Sequence, residues 1–226
     1  MRNPTAKTTV RSEEYPHDRK AYNRESYDYD IGKFLKKKLG GSKEVKIRFG
    51  ITGDSGTGKS AFINAMRGLN DDDDGAAKVD VIEATTNPTE YKHPDNPMIT
   101  FVDLPGIGTP NYPDLPTYCR KVSLENYDRY LIFTSLRFTK YDLELAKKVK
   151  SIGKSFFLVR TKIDDAYRAE SRKRTFNEKE MLEKIKRYCF ENVKDFISSE
   201  KDIFLISNYD KERWDFFRLV EAIGDA

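Results

Sequence analysis

The 226 residues include only two cysteines, Cys119 and Cys189, which lie far apart and without the short spacing of a metal-ligand pair. Such a set argues against a cysteine-held metal and suits plain thiols in a reducing compartment. Long apolar runs are missing as well: no stretch approaches the roughly 18 residues that a bilayer-spanning helix needs. Met1-Arg2-Asn3-Pro4 opens no apolar signal core, and position 2 is not glycine, which rules out N-myristoylation. Charge of one sign is scarce too. Lys and Arg number 41 against 37 Asp and Glu, leaving +4. That surplus suits an acidic small ligand or passing contact with anionic membrane, and falls short of the basic face of a nucleic-acid binder. The expectation is a soluble, cytoplasmic chain, at most peripheral on intracellular membranes. No internal repeat is present.

A hydrophobic share of 38% can build a real core, and a length of 226 residues holds one good-sized domain but hardly two independent cores. Residues 1–42 read as a polar arm, with scattered tyrosines (Tyr15, Tyr22, Tyr27, Tyr29) and one short amphipathic helix. In that helix Ile31, Phe34, Leu35 and Leu39 share a face until Gly40-Gly41 stops it. From residue 43 to 226 the pattern changes to strands alternating with helices. Strands are predicted at 45–52, 98–102, 130–135, 156–159 and 203–207. Helices are predicted from the end of a glycine loop to about 67, and at 141–150, 177–196 and 214–223. Apolar strands without polar alternation, separated by helices, predict an α/β fold: a mostly parallel central sheet with helices on both faces.

The glycine loop is the first chemical signal. Gly53-Asp54-Ser55-Gly56-Thr57-Gly58-Lys59-Ser60 has the G-x-x-x-x-G-K-S spacing and lies between a predicted strand and a helix. Glycines let the backbone curl so that successive N–H groups point inward at phosphate oxygens. The next helix, beginning near Ala61, adds the positive end of its dipole. Lys59 is expected to reach the β- and γ-phosphates, and the Ser60 hydroxyl to ligate Mg²⁺.

Three further motifs follow in order. Asp103-Leu104-Pro105-Gly106 closes a buried strand, placing Asp103 as a second Mg²⁺ anchor and the Gly106 N–H as a γ-phosphate sensor. The next residue, Ile107, supplies no water-positioning side chain, so intrinsic hydrolysis is expected to be slow. Thr161-Lys162-Ile163-Asp164 also follows a strand. The Asp164 carboxylate can accept from both N1–H and the exocyclic amine of guanine, whereas adenine offers neither donor there. The Lys162 stem can lie along the base, and Ser207-Asn208 can offer a backbone N–H to the guanine carbonyl. Between residues 69 and 97 should lie a switch segment whose Thr85 or Thr86 caps the metal. Asp71 to Asp74 have no calcium-loop spacing and read as a solvated, mobile acidic loop.

Taken together, these motifs resemble the immunity-related GTPases, the interferon-inducible p47 group. The resemblance extends to Ala61–Gly68, Gly75-Ala76-Ala77-Lys78, Val81-Ile82-Glu83-Ala84-Thr85, Tyr91-Lys92-His93-Pro94, Arg137-Phe138 and Phe157-Leu158-Val159-Arg160. It implies a P-loop G domain of the G-K-S type, with Thr85 as the metal-capping threonine. It implies that GTP is the substrate, GDP the product and Mg²⁺ the cofactor. GTP-dependent self-association and recruitment to intracellular membranes are implied as well, with Glu83, Lys78 and Arg137 as surface candidates near the nucleotide. In that family an extensive helical domain follows the G domain. Three functions stay open at this point: an active GTPase; a GTP-responsive scaffold with negligible turnover; and an ATP-using enzyme, which Asp164 disfavours.

Overall fold

The computed structural model describes residues 46–80, 85–93 and 96–225. The predicted arm and its helix at 31–39 lie outside the described residues, as does Glu83. Six strands form one sheet: β1 (Ile47–Gly53), β2 (Thr89–Lys92), β3 (Ile99–Asp103), β4 (Arg129–Thr134), β5 (Ser155–Arg160) and β6 (Ile203–Leu205). Their spatial order is β2-β3-β1-β4-β5-β6. Every pairing is parallel except β2 with β3.

Alternation along the strands explains why they read as unbroken apolar runs. Phe101, Leu131, Phe133 and Val159 point to one face, whereas Val102, Tyr130, Ile132 and Leu158 point to the other, and both faces are buried. Helices α1 (Lys59–Arg67) and α6 (Phe216–Gly224) cover the first face through Phe62, Ile63, Phe216 and Leu219. Helices α2 (Leu115–Val122), α3 (Lys140–Ser151) and α5 (Glu178–Val193) cover the second, where Tyr118, Val122, Leu145, Val149 and Val193 are packed. Gly50 sits mid-strand because a Cβ there would lie 2.9 Å from the Tyr130 ring.

Three elements escape the sequence reading. Strand β2, Thr-Glu-Tyr-Lys, is polar and mostly exposed. It exists through pairing with β3 and an Arg48–Glu90 ion pair of 2.5 Å, the charged dress of an edge strand. Helices α2 and α4 (Ile163–Glu170) are only eight residues each, too short for a periodic signal. Local chemistry marks α2 instead: Asp114 accepts from the Thr117 N–H at 2.8 Å at its start. The predicted strands and helices that fall on described residues all appear, with ends shifted by one to a few residues.

Because the sheet is parallel through its centre, β1, β3, β4, β5 and β6 all end at the same edge. The loops that leave those ends carry the glycine loop, Asp103, Thr161–Asp164 and Ser207-Asn208.

Candidate functional site

A cleft of about 520 Å³ opens at that edge. Its floor is the glycine loop, which turns through left-handed glycines at Gly56 (φ 74°) and Gly58 (φ 85°). Gly53 is fixed by closeness: a Cβ there would meet the Phe133 carbonyl oxygen at 2.2 Å. Helix α1 then starts with no side-chain cap and no acidic residue in its first turn. Its leading N–H groups and dipole end are therefore offered to an anion.

Lys59 is almost fully buried and curls over the loop, donating to the carbonyls of Asp54 (2.8 Å) and Gly53 (3.2 Å). Its charge is thus held in the cleft, whose wall also includes Ser55, Gly56, Ser60 and Ala61. Asp54 contributes backbone only. Its side chain turns toward Thr139 at the start of α3, and burial raises its pKa against that bond and the Lys59 charge. Nearby, burial pushes the Asp142 carboxyl up to about 6, opposed by bonds from Thr139 and reinforced by the Asp54 charge.

Ser60, Thr85 and Asp103 meet at one point. Asp103 Oδ2 accepts from Ser60 Oγ at 2.6 Å and from Thr85 Oγ1 at 3.2 Å, and the two hydroxyls are 3.4 Å apart. Thr85, rather than Thr86, turns its hydroxyl inward. Asp103 Oδ1 is buried without a hydrogen-bond partner among the described residues. Burial raises the pKa of Asp103, while Lys59, Ser60 and Thr85 oppose the rise. An orphaned carboxylate oxygen beside two hydroxyls is a hard-oxygen donor set, and it fits Mg²⁺.

Gly106 borders the cleft, and a Cβ on it would lie 2.7 Å from both the Cα and N of Ser55. The loop after β3 is therefore pressed onto the phosphate loop at a point where only hydrogen fits. Gly106→Ala should force the two apart. We expect affinity for a non-hydrolysable GTP analogue to fall about thirtyfold, the middle of the range for overpacking a tight contact, with GDP affinity retained. Paired titrations with the two nucleotides would show it, and an equal loss for both would assign the glycine to folding alone. Ile107 follows with its side chain buried in the core and its N–H bonded to the Gly53 carbonyl at 3.3 Å. It cannot reach a water in the cleft.

On the far side, Lys162 adopts a left-handed conformation (φ 57°) that opens α4 and places Asp164 in its first turn. Lys162, Asp164 and Asp165 border the cleft. Arg168 lies 3.9 Å from Asp164 and 3.0 Å from Asp165. Thr161 and Ser207 belong to the two motifs expected at the base, Ser207-Asn208 through a backbone N–H. Both are fully buried and neither borders the cleft. The Thr161 hydroxyl donates to the Thr57 carbonyl at 2.7 Å, and Ser207 Oγ accepts from the Tyr209 and Asp210 N–H groups. Thr57 is also buried, with its hydroxyl on the Asp54 carbonyl. These residues hold the loops together rather than line them. Asn208 does both: it borders the cleft and donates to the Gly58 carbonyl at 2.9 Å.

Tyr209 borders the cleft beyond what the sequence predicts, and its hydroxyl donates to Asp71 at 2.9 Å. No local motif could announce a bond across so many residues. That bond also corrects the reading of the acidic loop as merely solvated. Asp71 additionally accepts from Asn64 (2.9 Å), and Asp73 accepts from the Asn70 N–H (2.6 Å), so short side chains cap their own turn. Lys78 borders the cleft; Arg137 is exposed and does not.

Comparison with known proteins adds to this geometry. The family model described as interferon-inducible GTPase (IIGP) matches residues 20–225. The mouse T-cell-specific guanine nucleotide triphosphate-binding protein 2 is 37% identical over 187 residues, covering 82% of this chain and 45% of its own length. Mouse interferon-inducible GTPase 1 is 37% identical over 179 residues, covering 78% of this chain and 43% of its own. The chain thus spans less than half the length of these relatives. Among solved structures, Toc33 from Arabidopsis thaliana in complex with GDP and Mg²⁺ superposes with a TM-score of 0.64, covering 88% of this chain and 91% of that one. At 16% identity that likeness is one of fold. With the family pattern extending from residue 20 to 225 over this sheet and these loops, the chain belongs to the interferon-inducible GTPase (IIGP) family.

Proposed function

We propose that the chain binds GTP and GDP and hydrolyses GTP to GDP and phosphate. The observation that carries this reading is the convergence on one cleft of Lys59, the Ser60–Thr85–Asp103 cluster and Asp164. The loop's N–H groups and Lys59 bind the phosphate chain, and Asp164 selects guanine. Ser60, Thr85 and Asp103 would hold Mg²⁺, which when bound neutralises charge shared by the β- and γ-phosphates. Gly106 follows the γ-phosphate.

With Ile107 buried, this chain supplies no side chain after Gly106 to orient the attacking water. A second copy docking at the nucleotide face would exclude water and complete the site, which favours GTP-dependent G-domain dimerisation as the working form. Cell-autonomous immunity, in the cytoplasm and peripherally on intracellular membranes, is the role we infer from the family. Among the described residues no helix is long and apolar enough to cross a membrane.

The test is hydrolysis per molecule measured across a wide range of protein concentration, alongside particle size with GDP and with a non-hydrolysable GTP analogue. We expect specific activity to rise with concentration and the analogue to enlarge the particle. A larger particle with no measurable turnover at any concentration would favour the second reading, a GTP-responsive scaffold, for which the buried Ile107 is the supporting observation.

A further inference from the structure

We infer that Tyr112 is a positioning residue that couples the threonine facing the metal site to the glycine facing the γ-phosphate; this rests on the reading of the cleft as a Mg²⁺–GTP site. Its hydroxyl donates to the Thr86 carbonyl at 2.7 Å, one residue after Thr85. Its own backbone is tied the other way. The Tyr112 N–H donates to the Thr109 carbonyl and the Gly108 N–H to the Tyr112 carbonyl, both at 2.9 Å. Thr109 Oγ1 in turn donates to the Gly106 carbonyl at 3.2 Å. An unbroken run of hydrogen bonds thus joins Gly106 to the backbone beside Thr85.

The Tyr112 ring gives this link a rigid base. It is buried and packs edge-on against Tyr118, with ring centroids 5.8 Å apart. Tyr118 is fully buried and shares a 2.6 Å hydrogen bond with Thr52, the residue before the glycine loop. Lys121 lies 5.1 Å from the Tyr112 ring centroid and donates to the Asn111 carbonyl, which pins the segment from outside. The exposed Thr86 is therefore reached by a hydroxyl that projects from the core. A rigid donor holding a surface loop lowers the ordering cost of presenting Thr85.

The consequence is selective. A triphosphate uses both Thr85 and Gly106, whereas a diphosphate leaves no γ-phosphate for either to meet. The Tyr112 hydroxyl should therefore favour the triphosphate state and leave the diphosphate state alone.

The substitution Tyr112→Phe removes the hydroxyl and keeps the buried ring. For the full chain we expect affinity for a non-hydrolysable GTP analogue to fall about three- to tenfold, the size of one net hydrogen bond. GDP affinity should stay the same, and the hydrolysis rate at saturating GTP should fall by a similar factor. Tyr141→Phe is the control. Tyr141 donates to the Pro113 carbonyl at 2.8 Å, one residue past Tyr112 but off the link to Thr86. An equal loss for analogue and GDP in Tyr112→Phe, no loss for either, or the same selective loss in Tyr141→Phe would each overturn the coupling alone. Failure of the unsubstituted chain to bind any guanine nucleotide would overturn the site reading and the coupling with it.

Discussion

Asp164→Asn should lose GTP affinity by about two to four orders of magnitude and gain affinity for xanthosine triphosphate. The carboxylate borders the cleft from the first turn of α4 and can accept two hydrogen bonds from the guanine edge. Each bond to a charged acceptor contributes about 1.5–3 kcal/mol, so losing both spans that range. The amide offers one donor and one acceptor, which match the 2-oxygen and N1–H of xanthine. Arg168 approaches Asp164 at 3.9 Å but also pairs with Asp165, so it keeps a partner in the variant. Competition of guanosine, xanthosine and adenosine triphosphates against a fluorescent nucleotide would measure the shift. Unchanged GTP preference in the variant would show that the base lies elsewhere.

Lys59→Ala should lower GTP affinity by roughly two orders of magnitude while the fold survives. The ammonium is held in a nearly closed position by the Gly53 and Asp54 carbonyls, so its charge is already aimed when phosphate arrives. Charge-assisted bonds to phosphate are about twice as strong as neutral ones, and losing one or two of them gives this magnitude. Alanine is a strong helix former, and the apolar contacts of α1 come from Phe62, Ile63, Ala65 and Met66. Titration calorimetry with GTP, paired with a thermal melt, separates binding from stability. Retained affinity would remove the phosphate-loop assignment, and a large drop in melting temperature would mean that Lys59 is chiefly structural.

Much of the site was legible before the fold because its motifs are backbone devices. A loop that must curl around phosphate needs glycine at Gly56 and Gly58, and those requirements are written locally. The strand ends at Asp103 and before Thr161 were equally readable, since buried parallel strands are apolar throughout. What escaped detection was long-range or unassisted by pattern. The polar strand β2 is specified by its partner β3. The stapling roles of Thr161 and Asn208 depend on carbonyls of the glycine loop that lie 104 and 150 residues away along the chain. Residue type does not separate Thr85 from Thr86, because both are threonines; the family resemblance implies Thr85, and it is the Thr85 hydroxyl that turns toward Asp103.

The sequence by itself determined a mostly parallel α/β sheet, a glycine loop of G-x-x-x-x-G-K-S spacing, an acidic residue, Asp164, after a strand and an apolar Ile107 after Gly106, because each rests on residue identity within a short window. Only the tertiary structure decided how these pieces are coupled. Among the described residues Asp103 keeps one oxygen unpaired, Gly106 has room for hydrogen alone, and Tyr112 spans from the core to Thr86. Those facts depend on distances between segments far apart in the chain, and such distances exist only after the apolar faces of the sheet have been buried.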